Sequence, residues 1–381
     1  MGGLSHIRAL RMRPIFKMYL ILSCFVGFTT VFMLLKLRNT LRQNMLDRMS
    51  RAQLQSVPQF VEAPHADGNM NYSTNATETE MGKRLSSIEH GWVFDHSELI
   101  RLRTKLSTIH TREDFTMTRN NTPLHSQVPF TSERRRYNVS ELLYNRLPQG
   151  PPDFQTKRFK NCSIVGSSGI LSRSGCGPQI DSSEFIFRFN IPPLVGQYTD
   201  DVGKRTDLVT CNRHRFNKRL SNLDSSKDRK LFKGILNGQF PTLSYIWLHP
   251  FSILRDVRNI LSFPDVLKKI ESPVKAVFSN PRYIIRSHRF WEKNGVKEKI
   301  MTSGFTFVSF ALEVCDELHV YGFWPYLEDR RGNRIGYHYT DDNHYGRGLT
   351  TRGHKMPREF TKLLDLYKKG VLRLVTDKCI S

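Results

Sequence analysis

Five short apolar runs, each followed by a polar or helical stretch, set the strongest limit on how this chain folds. They are Cys162–Gly166 (CSIVG), Phe185–Asn190 (FIFRFN), Leu208–Cys211 (LVTC), Ser244–Leu248 (SYIWL) and Leu318–Gly322 (LHVYG). Strands that are apolar throughout, rather than at alternate positions, belong to a sheet buried on both faces. Strands separated by helical segments make that sheet parallel, because a parallel connection needs a crossover. The pattern predicts an α/β domain: a mostly parallel sheet with helices on both faces. Ligands of such sheets bind beyond the C-terminal ends of the strands, where the strand order reverses.

The N-terminus carries a second constraint. Met18–Leu35 is 18 residues long and holds no charge. As a helix it spans about 27 Å, enough to cross a thin bilayer. A cleaved signal peptide has a shorter apolar core and a small-x-small site after it. Here Lys36, Arg38 and Arg42 follow instead, and Arg8, Arg11, Arg13 and Lys17 precede. Basic residues on both sides leave the orientation to the glycosylation signals. Five N-x-Ser/Thr sequons, at Asn71, Asn75, Asn120, Asn138 and Asn161, all lie beyond the span. They predict a lumenal bulk. The expected layout is a cytosolic tail (1–17), a signal-anchor span (18–35), a polar stem (36–88) and a lumenal domain (89–381).

The net charge is +23. An excess of that size points to a polyanionic partner: nucleic acid, anionic membrane or an acidic small substrate. Lumenal placement and the lack of a nucleic-acid module argue against nucleic acid. Arg213–Lys299 holds 19 Lys or Arg and 7 Asp or Glu. It reads either as a groove that steers an anionic ligand or as a solvated face. Leu99, Leu102, Leu106 and Ile109 recur at helical spacing and predict one helix, which either presents the basic charge of Arg101, Arg103 and Lys105 or, the preferred reading, docks on the main domain.

Of six cysteines, Cys24 lies in the apolar span and Cys211 ends an apolar run, as a buried thiol. Cys162, Cys176, Cys315 and Cys379 admit three pairings in an oxidising lumen. No CxxC or His-x-x-x-His pair suggests zinc. No D-x-D stands out for another metal. The pairs Asp200-Asp201 and Asp341-Asp342 read as solvated loop charge.

Three segments could carry chemistry. Gly166-Ser167-Ser168-Gly169 follows a strand, as a phosphate-binding turn does, though so does many an ordinary tight turn. Thr302-Ser303-Gly304 opens an apolar helical run, so its hydroxyls and bare N–H groups form either a plain cap or an anion seat. Tyr337–Asp341 (YHYTD) and His354–Glu359 (HKMPRE) put two histidines in polar stretches, as an acid/base pair requires.

Together these segments resemble the animal sialyltransferase family. Asn161–Asn212 resembles its large sialyl motif and Thr302–Tyr326 its small one. Tyr337–Asp341 is similar to motif III, and His354–Glu359 to the very small motif H-x-x-x-x-E. The order and spacing match, and the resemblance runs from Gly91-Trp92 to Cys379. Ser174–Gly177 (SGCG), Arg134–Ser140 (RRRYNVS) and a cysteine near the C-terminus are similar to the α2,8-linking branch.

The resemblance implies a Rossmann-like sialyltransferase-type fold and a type II Golgi membrane protein. It pairs Cys162 with Cys315 and Cys176 with Cys379. It implies inverting transfer from CMP-sialic acid to a sialylated glycoprotein or glycolipid, with no metal and no other cofactor. His354 is then the base, His338 the donor to the leaving phosphate, and Glu359 a neighbour that orders the loop. Ser167, Asn190, Thr302, Ser303, Gly304, Gly322, Phe323 and Trp324 line the donor site. Ser167 stands where the family commonly has asparagine, which bears on donor affinity. Thr302-Ser303 swaps the usual Ser-Thr order and keeps both hydroxyls. Arg255–Arg286 has seven basic residues interrupted by Asp256, Asp265 and Glu271, which favours short products over long polymer. The competing readings are an α2,3 or α2,6 linkage, a polysialyltransferase, and a non-catalytic glycan-binding protein on the same fold. Assembly as a homodimer is left open.

Overall fold

Seven strands form one sheet in which every neighbouring pair is parallel. The structure is a computed structural model. It describes residues 79–379 except 213–214, 217–219, 299, 341–349 and 352–353. Met18–Leu35, Asn71, Asn75 and the Asp341-Asp342 pair lie outside the described residues. Among the described residues no helix is long and apolar enough to cross a membrane.

The strands are β1 (Phe159–Val165), β2 (Phe185–Arg188), β3 (Leu208–Cys211), β4 (Tyr245–Leu248), β5 (Lys275–Phe278), β6 (Cys315–Tyr321) and β7 (Arg373–Val375). Their order is β7-β6-β1-β2-β3-β4-β5. The chain steps outward from β1 to β5, then returns to the opposite side of β1 for β6 and β7. Strand order therefore reverses between β1 and β6. The five expected strands are β1 to β4 and β6. The two that sequence reading missed, β5 and β7, are the edges. They begin at Lys275 and Arg373, so neither shows a continuous apolar run.

Alternate residues of each strand enter different cores. Phe185 and Phe187 join one buried cluster, and Ile186 between them joins the other. Trp247 and its neighbours Ile246 and Leu248 divide in the same way. Both faces are thus covered, as the apolar strands require. One core includes α5 (Ser303–Val314) and α6 (Met356–Lys368); the other includes α3 (Ser226–Gln239). All but three residues of α5 are buried, so it is a central helix with no solvent face. Between α3 and α5 comes α4 (Pro281–Lys293), capped by Asn280 and buried along Tyr283, Ser287 and Trp291.

Helix α2 (His96–Leu106) docks as expected, with Leu99 and Leu106 buried. Its Arg103 donates to the carbonyls of Leu312 (2.6 Å) and Cys315. The stem expected through residue 88 ends earlier. Residues Glu80–Glu89 form α1, whose Leu85 is fully buried. Arg330 fixes α1: its Nη1 donates to both carboxylate oxygens of Glu89 at 2.9 Å and its Nη2 to Ser86 Oγ at 2.6 Å. A short helix with polar surroundings gives little apolar signal, so this docking was not legible in the sequence.

Cys162 is bonded to Cys315, and Cys176 to Cys379. Cys211 is free and buried. Asp201 is more than solvated charge: its carboxylate accepts the N–H groups of Arg173 (2.6 Å) and Gly175 (2.9 Å) and shapes that turn.

Candidate active site

The crevice opens where β1 and β6 end side by side. Gly166 follows β1 and Gly322 follows β6. Gly166 N–H donates to Tyr321 O at 2.7 Å, and Ser168 N–H to Gly322 O at 3.2 Å. A Cβ on Gly166 would lie 2.4 Å from Gly322 O. Gly322 has φ +68°, and a Cβ there would lie 2.6 Å from Leu171. Only glycine fits at either position.

A cavity of about 370 Å³ occupies this point. Ser167, Asn190, Thr302, Ser303, Gly304, Gly322, Phe323 and Trp324 all line it, and so do His338 and Glu359. Residues some 190 positions apart in sequence are thus brought together. Tyr337 of the YHYTD stretch lines it as well, and so do Asn212, Tyr326, Met356 and Phe360, which had no individual role from sequence. Asn212 had a usable signal, being the polar residue directly beyond β3. None of these lining residues is Lys or Arg, and none comes from the basic stretch Arg213–Lys299. A ligand here meets neutral donors, aromatic faces and a helix end.

That helix end belongs to α5. Thr302 caps it, its Oγ1 accepting from Phe305 N–H at 3.1 Å. The N–H groups of Ser303 and Gly304, in the first turn, have no protein acceptor among the described residues. Unsatisfied N–H groups and the helix dipole make an anion seat.

Thr302 is held from behind by Glu359 of α6. The carboxylate accepts Thr302 N–H at 2.7 Å and Thr302 Oγ1–H at 2.5 Å. Glu359 is only 6% exposed. Burial raises its pKa to about 7; the Thr302 hydrogen bonds oppose that rise and nearby Glu298 adds to it. Glu359 acts on Thr302, and so positions the helix end.

The segment Tyr337–Tyr339 crosses the mouth of the β1 turn. Tyr339 N–H donates to Ser167 O at 2.9 Å, and Tyr339 OH to Pro193 O at 2.8 Å. This anchors the loop that carries His338 onto the cavity wall. The Tyr337 ring packs edge-on to His338 at 4.5 Å. His354 lies on the two-residue strand His354–Lys355, which pairs antiparallel with Thr350–Thr351 and runs directly into α6. Its backbone is therefore two residues from Met356 of the cavity wall. Among the described residues no group of three or more His, Cys, Asp or Glu is placed to hold a metal ion.

Similarity to known proteins settles what this geometry belongs to. Residues 109–371 match glycosyltransferase family 29 (sialyltransferase). The chain belongs to that family, the sialyltransferases. An alpha-N-acetylneuraminide alpha-2,8-sialyltransferase of Xenopus tropicalis is 35% identical over 302 residues, 79% of this chain and 85% of that one. Alpha-2,8-sialyltransferase 8E of Homo sapiens is 32% identical over 305 residues, 79% of each chain. A crystal structure of a mammalian sialyltransferase aligns at 22% identity and a TM-score of 0.41, over 80% of this chain and 88% of that one. The chain is thus an enzyme, a sialyltransferase, and its cavity lies at the β1–β6 reversal of the parallel sheet.

Proposed function

We propose that this sialyltransferase moves sialic acid from CMP-sialic acid onto a sialic acid already present on a glycoprotein or glycolipid, in α2,8 linkage. The cavity at the β1–β6 reversal carries the donor half of this reading. It gathers a helix N-terminus, the two hydroxyls of Thr302 and Ser303, a glycine turn and two aromatic rings in one place. Those groups suit a nucleotide monophosphate ester: the N–H groups and hydroxyls take phosphate, and Phe323 and Trp324 take ribose and base. The relatives named above support the linkage.

In the reaction the acceptor hydroxyl attacks the anomeric carbon of the donor from the face opposite the phosphate. The new glycosidic bond forms as the bond to phosphate breaks, and CMP leaves with the electron pair. His354 takes the hydroxyl proton. His338 donates to the departing phosphate oxygen, and the α5 N-terminus stabilises the charge that develops there. The configuration inverts in a single displacement. The apolar span Met18–Leu35 anchors the enzyme in the Golgi membrane, with residues beyond it in the lumen.

The test uses full-length protein in detergent, CMP-sialic acid, and acceptors ending in galactose, α2,3-sialic acid or α2,6-sialic acid. Released CMP is followed and the product linkage determined. CMP release on sialylated acceptors alone, with a product sensitive to an α2,8-cleaving sialidase, is the expected result. Transfer to galactose termini instead would replace α2,8 with an α2,3 or α2,6 linkage. Donor binding with no turnover on any acceptor would leave a glycan-binding protein.

A further inference from the structure

The chain turns sharply after β2, in a conformation that ordinary residues avoid. Asn190 has φ +62° and Ile191 has φ +48°. Neither is glycine. Asparagine tolerates the left-handed region, but a β-branched residue such as Ile191 is a clear outlier there. Two in succession persist only where the surroundings hold them.

Three hydrogen bonds do the holding. Asn190 N–H donates to Thr210 Oγ1 at 3.1 Å. Asn212 N–H donates to Asn190 Oδ1 at 3.2 Å. Arg215 Nε–H donates to the Asn190 carbonyl at 2.7 Å. That carbonyl belongs to the peptide unit joining the two strained residues, so the third bond acts where the strain lies. Arg215 is itself fixed, its N–H donating to Asn212 Oδ1 at 2.8 Å. Asn190 and Asn212 both line the cavity, whereas Arg215 is not among the lining residues. With Oδ1 taken by Asn212, the Asn190 Nδ2 group remains as a donor, with no partner among the described residues.

We infer that Arg215 is a positioning residue of the donor site, a latch that holds the Asn190–Ile191 peptide left-handed and so keeps the Asn190 amide presented to the cavity. The inference rests on the reading of this cavity as the nucleotide site. It goes beyond that reading by placing a determinant of donor affinity in a side chain that does not touch the donor. The sequence reading set Arg215 within a basic stretch suited to steering; the geometry gives it a backbone carbonyl to hold.

The experiment measures CMP affinity by calorimetry, and KM and kcat for CMP-sialic acid, on full-length protein. Arg215→Met keeps the side-chain length and removes the donors. It weakens CMP binding by about tenfold, the size of one lost hydrogen bond in a preset site. KM for the donor rises by a similar factor, while KM for the acceptor stays put. Arg215→Lys, which keeps a donor and the charge, recovers most of the loss. In an Asn190→Ala background, adding Arg215→Met changes CMP affinity less than twofold, because the group being positioned is gone. Ile191→Gly adopts the left-handed conformation freely, so in that background Arg215→Met also costs little. This second pair keeps the test open if Arg215→Met alone folds poorly.

Equal CMP affinity in wild type and Arg215→Met would overturn the latch. So would a tenfold loss that persists in both backgrounds, since it would show Arg215 acting by charge alone. Wild-type protein that binds no CMP would overturn the donor-site reading itself, a result distinct from either.

Discussion

The carboxylate of Glu359 accepts both the backbone N–H and the hydroxyl of Thr302, at 2.7 and 2.5 Å. The two residues are 57 positions apart and belong to different sequence motifs. Their bond fixes the cap of α5 and therefore the helix end that faces the cavity. Among the described contacts this one ties the very small motif to the small motif, and it explains why a glutamate serves five residues after His354.

The burial of that carboxylate makes stability depend on pH, with the Thr302 bonds holding the effect down. Burial holds the Glu359 pKa at about 7 in the folded protein, against 4.5 in the unfolded chain. Between those values the folded state binds more protons, so rising pH destabilises it. The contribution is fully present below pH 4.5, falls by about 3 kcal/mol between pH 4.5 and 7, and is flat above. Glu359→Gln abolishes that slope. Thermal melts of wild type and variant at pH 5 and pH 8 read the difference. Parallel pH profiles for the two proteins would sink the assignment.

Activity should separate the positioning residue from the chemical ones. His354→Ala lowers kcat by about 10²–10⁴-fold, the range for a positioned general base, with CMP affinity nearly unchanged. His338→Ala lowers kcat by a similar order. Glu359→Gln loses one of two hydrogen bonds to Thr302 and changes donor KM and kcat together, by about tenfold. A His354→Ala enzyme with normal turnover would remove that residue from the mechanism.

The meeting of β1 and β6 has no room for a methyl group. Gly166→Ala places Cβ 2.4 Å from a backbone carbonyl, and Gly322→Ala adds left-handed strain to a clash with Leu171. Each lowers the melting temperature by several degrees and weakens CMP binding by at least tenfold. Ser167→Ala is the contrast: it removes a hydroxyl, leaves the backbone free and keeps the melting temperature. Calorimetry of all three variants tests whether the cavity floor or the serine hydroxyl dominates affinity.

How much of this was readable from sequence follows from where each signal lives. The central strands were legible because both their faces are buried, so each carries a short, mostly apolar run such as SIV, FIF or YIWL. The edge strands β5 and β7 were not, because Lys275 and Arg373 open them and solvent tolerates that charge. The cavity residues were legible through motif resemblance, since Thr302, Asn190 and Gly322 mark ends of strands and helices. The bond from Glu359 to Thr302 was not, because it depends on how α6 lies against α5. Nor was the Arg215 contact: nothing local shows that a basic residue in a basic stretch ends on a backbone carbonyl.

The sequons separate by what surrounds them. Asn120 and Asn138 are exposed. Asn120 Oδ1 accepts Gln149 Nε2–H at 2.9 Å, a surface contact that does not use Nδ2, although its sequon Thr122 is buried. Asn161 lies inside β1, opposite Glu317 of β6. Its Oδ1 accepts Glu184 N–H at 2.8 Å, and its backbone carbonyl accepts the same N–H at 3.2 Å. The rest of that sequon is Cys162, committed to a disulfide, and Ser163, fully buried and hydrogen-bonded to Ser183 at 2.7 Å. A glycan on the Asn161 amide would sit at the start of the central strand and compete with the Glu184 contact. We predict that Asn161 is unmodified in the folded enzyme from a glycosylating cell, whereas Asn120 and Asn138 are occupied. Asn138→Gln then increases gel mobility by one glycan, and Asn161→Gln leaves mobility unchanged but lowers the melting temperature, because a strand-end hydrogen bond is lost. Site-resolved mass spectrometry showing Asn161 largely glycosylated would mean that modification precedes strand formation and that β1 tolerates the glycan.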